Sequence, residues 1–127
     1  MTPPVAHPQP RRGEIWFARL PSDPPDKNPR PVVIVSLDAR NQHPRAETVL
    51  IVPLSTTLRE GPTHISLRPG DTGLAEACML QAENISTIRK DILLPSRTPL
   101  RQLSENTLRQ IVRCVVIALG FVPDDLR

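Results

Sequence analysis

Arg30 is the first residue whose position suggests chemistry. It stands between Pro29 and Pro31, and the apolar, β-branched run 32–35 begins directly after Pro31. Pro31 disfavours the helical conformation for Arg30, so we expect an extended arginine at the mouth of a strand that is buried on both faces. A guanidinium held there can grip a phosphate through a fork of N–H donors. An ordinary strand preceded by a solvated arginine is the structural alternative, and these residues leave both open.

Two further polar clusters follow segments that indicate buried strands. Residues 55–57 (Ser-Thr-Thr) come after Val-Pro-Leu, and residues 83–84 (Glu-Asn) come after Leu-Gln-Ala. Strand ends that are far apart in sequence can converge on one rim of a small barrel. The alternative at residues 55–57 is a turn whose hydroxyls bond to nearby backbone groups. The alternative at residues 83–84 is a solvated turn.

Metal and cofactor motifs are missing from the sequence. His7, His43 and His64 have no partners at metal-ligand spacing, and no P-loop, GxGxxG, HExxH or paired CxxC is present. We therefore predict no metal and no cofactor. Cys78 and Cys114 lie in apolar contexts, which indicates reduced core residues.

Composition narrows the class of protein. The 127 residues fit one domain, and the net charge of +3, mostly from arginine, suits a phosphate-bearing partner. Aromatic residues make up only 2%, which argues against the base-stacking surface of RRM and OB folds. Without an apolar run long enough for a bilayer or a signal-peptide pattern, we expect a cytoplasmic protein with no membrane contact.

The elements that must position these residues are short strands and one helix. We predict a disordered proline-rich tail over 1–10, a single domain over 11–127, and strands over 13–20, 31–37, 47–52, 64–67, 74–82 and 85–88. Pro53 is expected to end the third strand. Ser104 is a plausible N-cap and Gly120 a stop signal for the terminal helix. This pattern predicts a mainly β fold, a small β-barrel with helical additions.

The terminal helix carries apolar residues at helical spacing. We expect them to form one stripe and to contribute to an interface beyond the barrel itself, with the arginines at 109 and 113 on the other side. The predicted stripe consists of Leu108, Ile111, Val112, Val115 and Leu119.

Three blocks of sequence resemble the successive signature blocks of the MazF/PemK/Kid toxins, the endoribonucleases of bacterial toxin–antitoxin pairs. The blocks are 12–16 (RGEIW), 30–36 (RPVVIVS) and 52–56 (VPLST). Residues 62–64, 73–74 and the terminal helix are similar as well, so the resemblance runs from about Arg11 to Phe121. Each block is short and is weak evidence by itself. The resemblance rests on the order and spacing of the blocks together.

The resemblance implies an SH3-like small β-barrel of the MazF/CcdB type with a C-terminal helix. It also implies a homodimer that cuts single-stranded RNA, including mRNA, without a metal. The products would carry a 2′,3′-cyclic phosphate and a 5′-hydroxyl. A cognate antitoxin, MazE-like or other, would block the RNA groove.

Carried over by position, the resemblance implies that Arg30, Ser55 and Glu83 are catalytic. It also implies an RNA-binding set: Asp26, Lys27, Asn28, Thr56, Thr57, Arg59, Asn84 and Thr87. An arginine is a poor base because its pKa is so high. The base that takes the 2′-hydroxyl proton therefore stays open among Glu83, Asp26 and His64.

The chain departs from the family pattern at two places. The first loop is often Gly-His-Glu-Gln-like in the family, whereas here residues 23–28 are Asp-Pro-Pro-Asp-Lys-Asn, and Asp26 is only an approximate substitute for the missing acid. Ser86 stands where relatives often carry a basic residue. We expect the recognition sequence to differ accordingly.

Two other functions stay open from sequence. The same barrel could be a non-enzymatic, CcdB-like inhibitor of DNA gyrase, which has no need of the Arg30/Ser55 pair, and a supercoiling assay separates the two. It could also be an inactive barrel that only binds an antitoxin, an alternative kept open by the Pro24-Pro25 loop.

Overall fold

The structure, a computed structural model, describes residues 8–126. Six strands form one sheet with the order β1-β2-β3-β5-β4, and β6 also pairs with β3. All strand pairs are antiparallel. The strands are β1 (Ile15–Ala18), β2 (Arg30–Ile34), β3 (Thr48–Ser55), β4 (His64–Leu67), β5 (Cys78–Gln81) and β6 (Ser86–Arg89). The helices are α1 (Asp38–Asn41), α2 (Pro69–Thr72) and α3 (Glu105–Ala118), with 3-10 turns at Ala82–Asn84, Lys90–Ile92 and Pro123–Asp125. The predicted mainly β fold with a C-terminal helix is confirmed.

β3 is the central strand, and it runs through Pro53, where the sequence predicted its end. One edge of β3 pairs with β2, while on the other edge residues 48–51 pair with β6 and residues 54–55 pair with β5. Pro53 falls in the step between these two partners, so its missing N–H removes no bond from either ladder on that edge. The prediction that the strand ends at Pro53 was wrong for this reason, and β3 reaches Ser55.

Three other strands are shorter than predicted. β2 ends at Ile34 rather than at residue 37, because at Ser36 the Leu50 N–H donates to the side-chain Oγ instead of a backbone carbonyl. β1 begins at Ile15 rather than at residue 13 because Gly13 adopts a φ of +89°. β5 begins at Cys78 rather than at residue 74, and the three residues before it are exposed. The bend predicted between residues 82 and 85 is the 3-10 turn Ala82–Asn84.

Apolar clusters lie on both faces of the sheet, and β2 contributes to both. Val33 belongs to the cluster that includes Leu108 and Ile111 of α3, whereas Val32 and Ile34 belong to the cluster on the opposite face. All three β2 residues are fully buried. The expectation of a strand buried on both faces is therefore confirmed.

The buried face of α3 differs from the predicted stripe. Leu108 and Ile111 are buried, but Val112 and Leu119 are 51% and 68% exposed. The helix turns its Leu108–Ile111 side to the sheet, and Val115 packs only partly against that cluster. Val112 and Leu119 lie to the other side of this contact line, so the sheet covers only part of the predicted stripe. The predicted interface of the helix beyond the barrel stays a prediction. The helix start was predicted correctly: Ser104 Oγ accepts the Thr107 N–H at 3.1 Å.

The ends of the domain and the cysteines complete the description. Residues 1–7 of the predicted tail lie outside the described residues, whereas Pro10 is buried and its carbonyl accepts a hydrogen bond from Gln42 Nε2 at 3.2 Å. Cys78 is buried and Cys114 is half-buried, and both are free thiols. Among residues 8–126, no helix combines the length and the apolar character needed to cross a bilayer.

Candidate active site

Arg30 and Ser55 meet at the same end of the sheet. Arg30 opens β2 and Ser55 closes β3, and the register pairs Val32 with Pro53 and Val33 with Val52. Continuing that register by two residues sets Arg30 opposite Ser55. Directly opposed residues of an antiparallel pair project to the same face with Cβ atoms about 4.5–5.5 Å apart. Two residues that are 25 apart in sequence are thus neighbours because of the strand register.

Both residues line one open cleft of about 470 Å³. Its walls come from the end of the β1–β2 loop, the start of β2, the end of β3 and the first residue of β5. The lining residues are Lys27, Asn28, Pro29, Arg30, Pro31, Leu54, Ser55, Thr56, Thr57 and Cys78. The lining holds two cations, several hydroxyl and amide groups and no carboxylate. It therefore suits an anionic, hydrogen-bonding ligand such as a phosphodiester.

Backbone turns place the β1–β2 loop at this cleft. The Asp23 N–H donates to the Leu20 carbonyl at 3.0 Å, and the Lys27 N–H donates to the Pro24 carbonyl at 3.0 Å. Arg19 Nη1 then donates to the Lys27 carbonyl at 3.1 Å. The proline-rich loop is folded back on itself, and this brings Lys27 and the residue after it to the rim.

Arg30 has a partner that the sequence did not indicate. Its Nη2 donates to Asp23 Oδ1 at 2.8 Å, and the two side chains are only 22% and 11% exposed. Asp23 Oδ2 is buried without a hydrogen-bond partner. The family resemblance indicated Asp26 as the acid of this loop, but Asp26 is exposed and does not line the cleft. Nothing in the linear order of the two aspartates distinguishes them, because the loop's turns decide which one reaches Arg30.

The Ser55 hydroxyl keeps its O–H hydrogen available for donation. Its Oγ accepts the Thr57 N–H at 3.1 Å, which is the turn that the structural alternative predicted. This bond uses an acceptor site of the oxygen and leaves the O–H hydrogen free to donate into the cleft. The structural and the chemical interpretations of Ser55 are therefore compatible.

Glu83 does not line the cleft, and it forms an ion pair with His64 instead. Glu83 Oε2 lies 2.8 Å from His64 Nε2, and Thr63 Oγ1 donates to Glu83 Oε1 at 3.0 Å. His64 Nδ1 lies 2.9 Å from the Arg59 carbonyl. Both ring nitrogens thus face acceptors, a geometry that is complete only when the imidazole carries two protons.

The hydrogen bonds of this pair shift both pKa values. The bond to Glu83 and the bond to the Arg59 carbonyl raise the pKa of His64 above its usual value. Burial alone would raise the pKa of Glu83, but its hydrogen bonds from His64 and Thr63 lower it overall. The pair connects the first residue of β4 to the turn after β5.

The remaining sequence-predicted residues lie outside the cleft lining. Asn84 Nδ2 donates to Gln81 Oε1 at 2.8 Å, and Thr87 is exposed on β6 opposite Leu50 of β3. The structure gathers Lys27, Asn28, Thr56 and Thr57 around Arg30 and Ser55. It does not gather there Asp26, Arg59, Glu83, Asn84 and Thr87.

Metal and thiol chemistry have little support at this site. Among residues 8–126 no group of three or more His, Cys, Asp or Glu side chains is arranged to hold a metal ion. Cys78 lines the cleft, but burial raises the pKa of its thiol, which keeps it protonated and a weak nucleophile.

Comparison with protein families gives one match over nearly the whole chain. The model of the PemK-like, MazF-like toxins of type II toxin–antitoxin systems matches residues 11–119. Among curated proteins, the endoribonuclease MazF4 of Mycobacterium tuberculosis H37Rv is 33% identical over 113 residues, which cover 87% of this chain and 93% of that protein. The probable endoribonuclease MazF5 of the same strain is 26% identical over 110 residues, with the same two coverages.

Solved structures show the same relationship. A mycobacterial endoribonuclease in complex with its cognate antitoxin superposes with a TM-score of 0.68 at 31% identity, covering 88% of this chain and 96% of that one. The MazF of a Deinococcus radiodurans MazE–MazF structure gives a TM-score of 0.66 at 14% identity, covering 89% of this chain and 98% of that one. At such low identity the second comparison supports the fold alone.

Proposed function

Because the chain belongs to the PemK-like, MazF-like toxins of type II toxin–antitoxin systems, we propose that it is an endoribonuclease that cuts single-stranded RNA at the Arg30/Ser55 cleft. The observation that carries the proposal is the meeting of a guanidinium and a free hydroxyl proton in one cleft without carboxylates. A gyrase inhibitor has no need of this pair.

The chemistry follows from what the cleft offers. The RNA's own 2′-hydroxyl attacks the adjacent phosphorus, the bond to the 5′-oxygen breaks, and the products are a 2′,3′-cyclic phosphate and a 5′-hydroxyl. Negative charge grows on the non-bridging oxygens in the transition state. Arg30 supplies charge and oriented N–H donors there, and Ser55 adds an O–H donor. Removing one such donor typically costs about 10²- to 10³-fold in rate.

Two proton transfers accompany the cleavage. The 2′-hydroxyl proton leaves to a base, and the 5′-oxygen takes up a proton as it departs. The base stays a prediction among Glu83, His64 and Asp26. Glu83 and His64 are bound to each other in the free protein, so either of them must exchange that bond for one to the RNA before it can act. The RNA loses one proton at the 2′-oxygen and gains one at the 5′-oxygen, so the cleavage neither consumes nor releases a proton overall. The proposed mechanism requires no metal.

The surroundings of the cleft suit an extended strand of RNA. Lys27, Asn28, Thr56 and Thr57 line the cleft and would contact the backbone next to the cut. The other predicted contacts lie beyond the lining: Asp26, Arg59, Asn84 and Thr87. A mechanism that uses the 2′-hydroxyl also distinguishes RNA from DNA.

Assembly and inhibition follow the same proposal. α3 and the residues after it expose large apolar side chains, which suits a homodimer interface; these are Val112, Ile117, Leu119, Phe121, Val122 and Leu126. A relative has been solved with its cognate antitoxin, and we expect an antitoxin to cover the cleft of this toxin in the cytoplasm. Light scattering should give a dimer mass for the purified protein.

Cleavage assays test the activity itself. The purified protein, pretreated with EDTA, should cut single-stranded RNA and leave 2′,3′-cyclic phosphate and 5′-hydroxyl ends. An oligonucleotide with a 2′-deoxyribose on the 5′ side of the cut should stay intact. Arg30→Ala should slow cutting by about 10²-fold or more. Arg45→Ala should leave it unchanged, because Arg45 is exposed and precedes the start of β3, at the opposite end of that strand from Ser55. Intact RNA across varied sequences, together with inhibited supercoiling by gyrase, would replace this proposal with the gyrase alternative.

A further inference from the structure

Among residues 8–126, Asp23 is the one carboxylate that forms a salt bridge with the proposed catalytic guanidinium. Its Oδ1 accepts from Arg30 Nη2 at 2.8 Å. The side chain of Asp23 is 11% exposed, and it lies outside the cleft lining, so it reaches the site through Arg30. Of the five N–H bonds of Arg30, one is used in this way. The hydrogen-bond donors on Nε and Nη1 have no protein partner among residues 8–126.

The second oxygen of Asp23 is unusual. Asp23 Oδ2 is the only buried side-chain nitrogen or oxygen atom of the described residues without a hydrogen-bond partner. Buried polar groups are nearly always paired, because an unpaired group has given up its bonds to water. Arginine and carboxylate commonly form two parallel bonds. Here one bond is made, and the acceptor for a second one is left open beside the guanidinium.

We propose that Asp23 is a positioning residue that holds Arg30 for the transition state of RNA cleavage, an inference that rests on the proposed function. Asp23 holds Nη2 from the side of the β1–β2 loop and leaves the Nε and Nη1 donors for the phosphate. As the guanidinium turns to follow the growing charge on the phosphate, Oδ2 accepts a second N–H. The pair is thus incomplete in the free protein and complete in the transition state, where added bonds accelerate the reaction.

This role predicts opposite effects on binding and on rate. The charge of Asp23 lies close to the site where the phosphate binds, so removing it does not weaken the attraction for RNA. The same change takes away the acceptor for the second bond, so Arg30 is no longer held in its productive orientation as charge grows on the phosphate. A small misplacement of a catalytic group costs up to about 100-fold in rate. A salt bridge that only stabilises the fold would instead lower the melting temperature and leave kcat unchanged.

Asp23→Asn is the deciding variant, because it keeps an acceptor at Oδ1 and replaces Oδ2 by an amide that cannot accept. We expect kcat for a short RNA containing one cut site to fall about 10- to 100-fold, with KM unchanged or lower. Asp23→Glu, which keeps the carboxylate, should recover part of that rate. Glu105→Gln is the matched control, since it removes the carboxylate from an exposed pair with Arg12 at 3.7 Å, and it should cut at the wild-type rate.

The outcomes separate this inference from the proposed function. If the wild type cuts RNA and Asp23→Asn cuts it at the same kcat or faster, Asp23 does not position Arg30 although the nuclease stands. If the wild type does not cut, the proposed function itself is wrong. Circular dichroism at the assay temperature shows whether Asp23→Asn is folded. If it is unfolded, Asp23→Glu decides: a lower kcat without a higher KM supports the role, and wild-type kinetics overturn it.

Discussion

Replacing Arg30 by lysine separates its charge from its fork of donors. Arg30 uses one N–H for Asp23 at 2.8 Å, and its other four have no protein partner among residues 8–126. A lysine ammonium has three donors, and if one goes to Asp23 no coplanar pair is left for two phosphate oxygens. The variant keeps the positive charge that attracts RNA and loses at least one oriented bond to the transition state.

The size of the loss follows from one charge-assisted hydrogen bond. Such a bond is worth about 1.5–3 kcal/mol, which corresponds to a rate about 10- to 160-fold lower. Arg30→Ala loses the charge as well and should be slower still. Single-turnover cleavage of a labelled RNA with excess protein measures both rates. If Arg30→Lys cuts as fast as the wild type, the fork is irrelevant; if it is as slow as Arg30→Ala, charge without the fork contributes nothing.

Three further changes test the surrounding structure. Lys90→Met should lower the free energy of unfolding by about 2–3 kcal/mol, because the buried ammonium donates to two backbone carbonyls at 3.0 and 3.2 Å. The melting temperature of Lys90→Met should fall by about 7–11 °C, whereas Lys27→Met, on the exposed loop, should leave it unchanged. A higher melting temperature for Lys90→Met would contradict a stabilising role of the ammonium. The pKa of His64 is raised by Glu83 and that of Glu83 is lowered by His64, so the stability that the pair contributes should be fully present between about pH 4.5 and pH 6.5. It should be lost as pH rises through the folded-state pKa of His64 or falls through that of Glu83. Melting curves of the wild type and Glu83→Gln should therefore converge at alkaline pH, and a constant difference would contradict the ion pair. Ser104→Ala removes an N-cap bond of 3.1 Å and should lower the free energy of unfolding, measured by chemical denaturation, by about 1 kcal/mol. Ser104→Asp should stay close to the wild type. An unchanged denaturation midpoint for the alanine variant would contradict the role of this cap.

The residues at the rim of the candidate active site could be predicted from sequence because their signals are local. A β-branched run between prolines indicates a buried strand with Arg30 at its mouth, and the Pro-Leu-Ser turn places Ser55 at the end of another strand. Antiparallel pairing then brings the two together. The end of β3 was misplaced because the cost of a proline in a strand depends on which neighbour needs its N–H, and this is a property of the sheet.

The partners of the charged residues could not be predicted in the same way. Asp23 and Asp26 are the same residue type in the same loop, and only the turns of that loop determine which of them reaches Arg30. Glu83 and His64 are 19 residues apart, and their contact depends on the pairing of β4 with β5. The exposed residues of α3 pose a related difficulty, because helical spacing shows which residues are apolar but not how much of that surface the sheet covers.

A double-mutant cycle at Arg30 and Ser55 tests the central claim most directly. Single-turnover cleavage rates of the wild type, Arg30→Ala, Ser55→Ala and the double variant would be measured on one RNA in EDTA. If the two side chains act on the same phosphate, each single change should slow cleavage by about 10²-fold or more, and the double variant should be little slower than the slower single variant. If the rate loss of the double variant instead equals the product of the two single losses, the side chains act independently, and this would contradict a shared site. Full activity in either single variant would contradict the role of that residue in the mechanism.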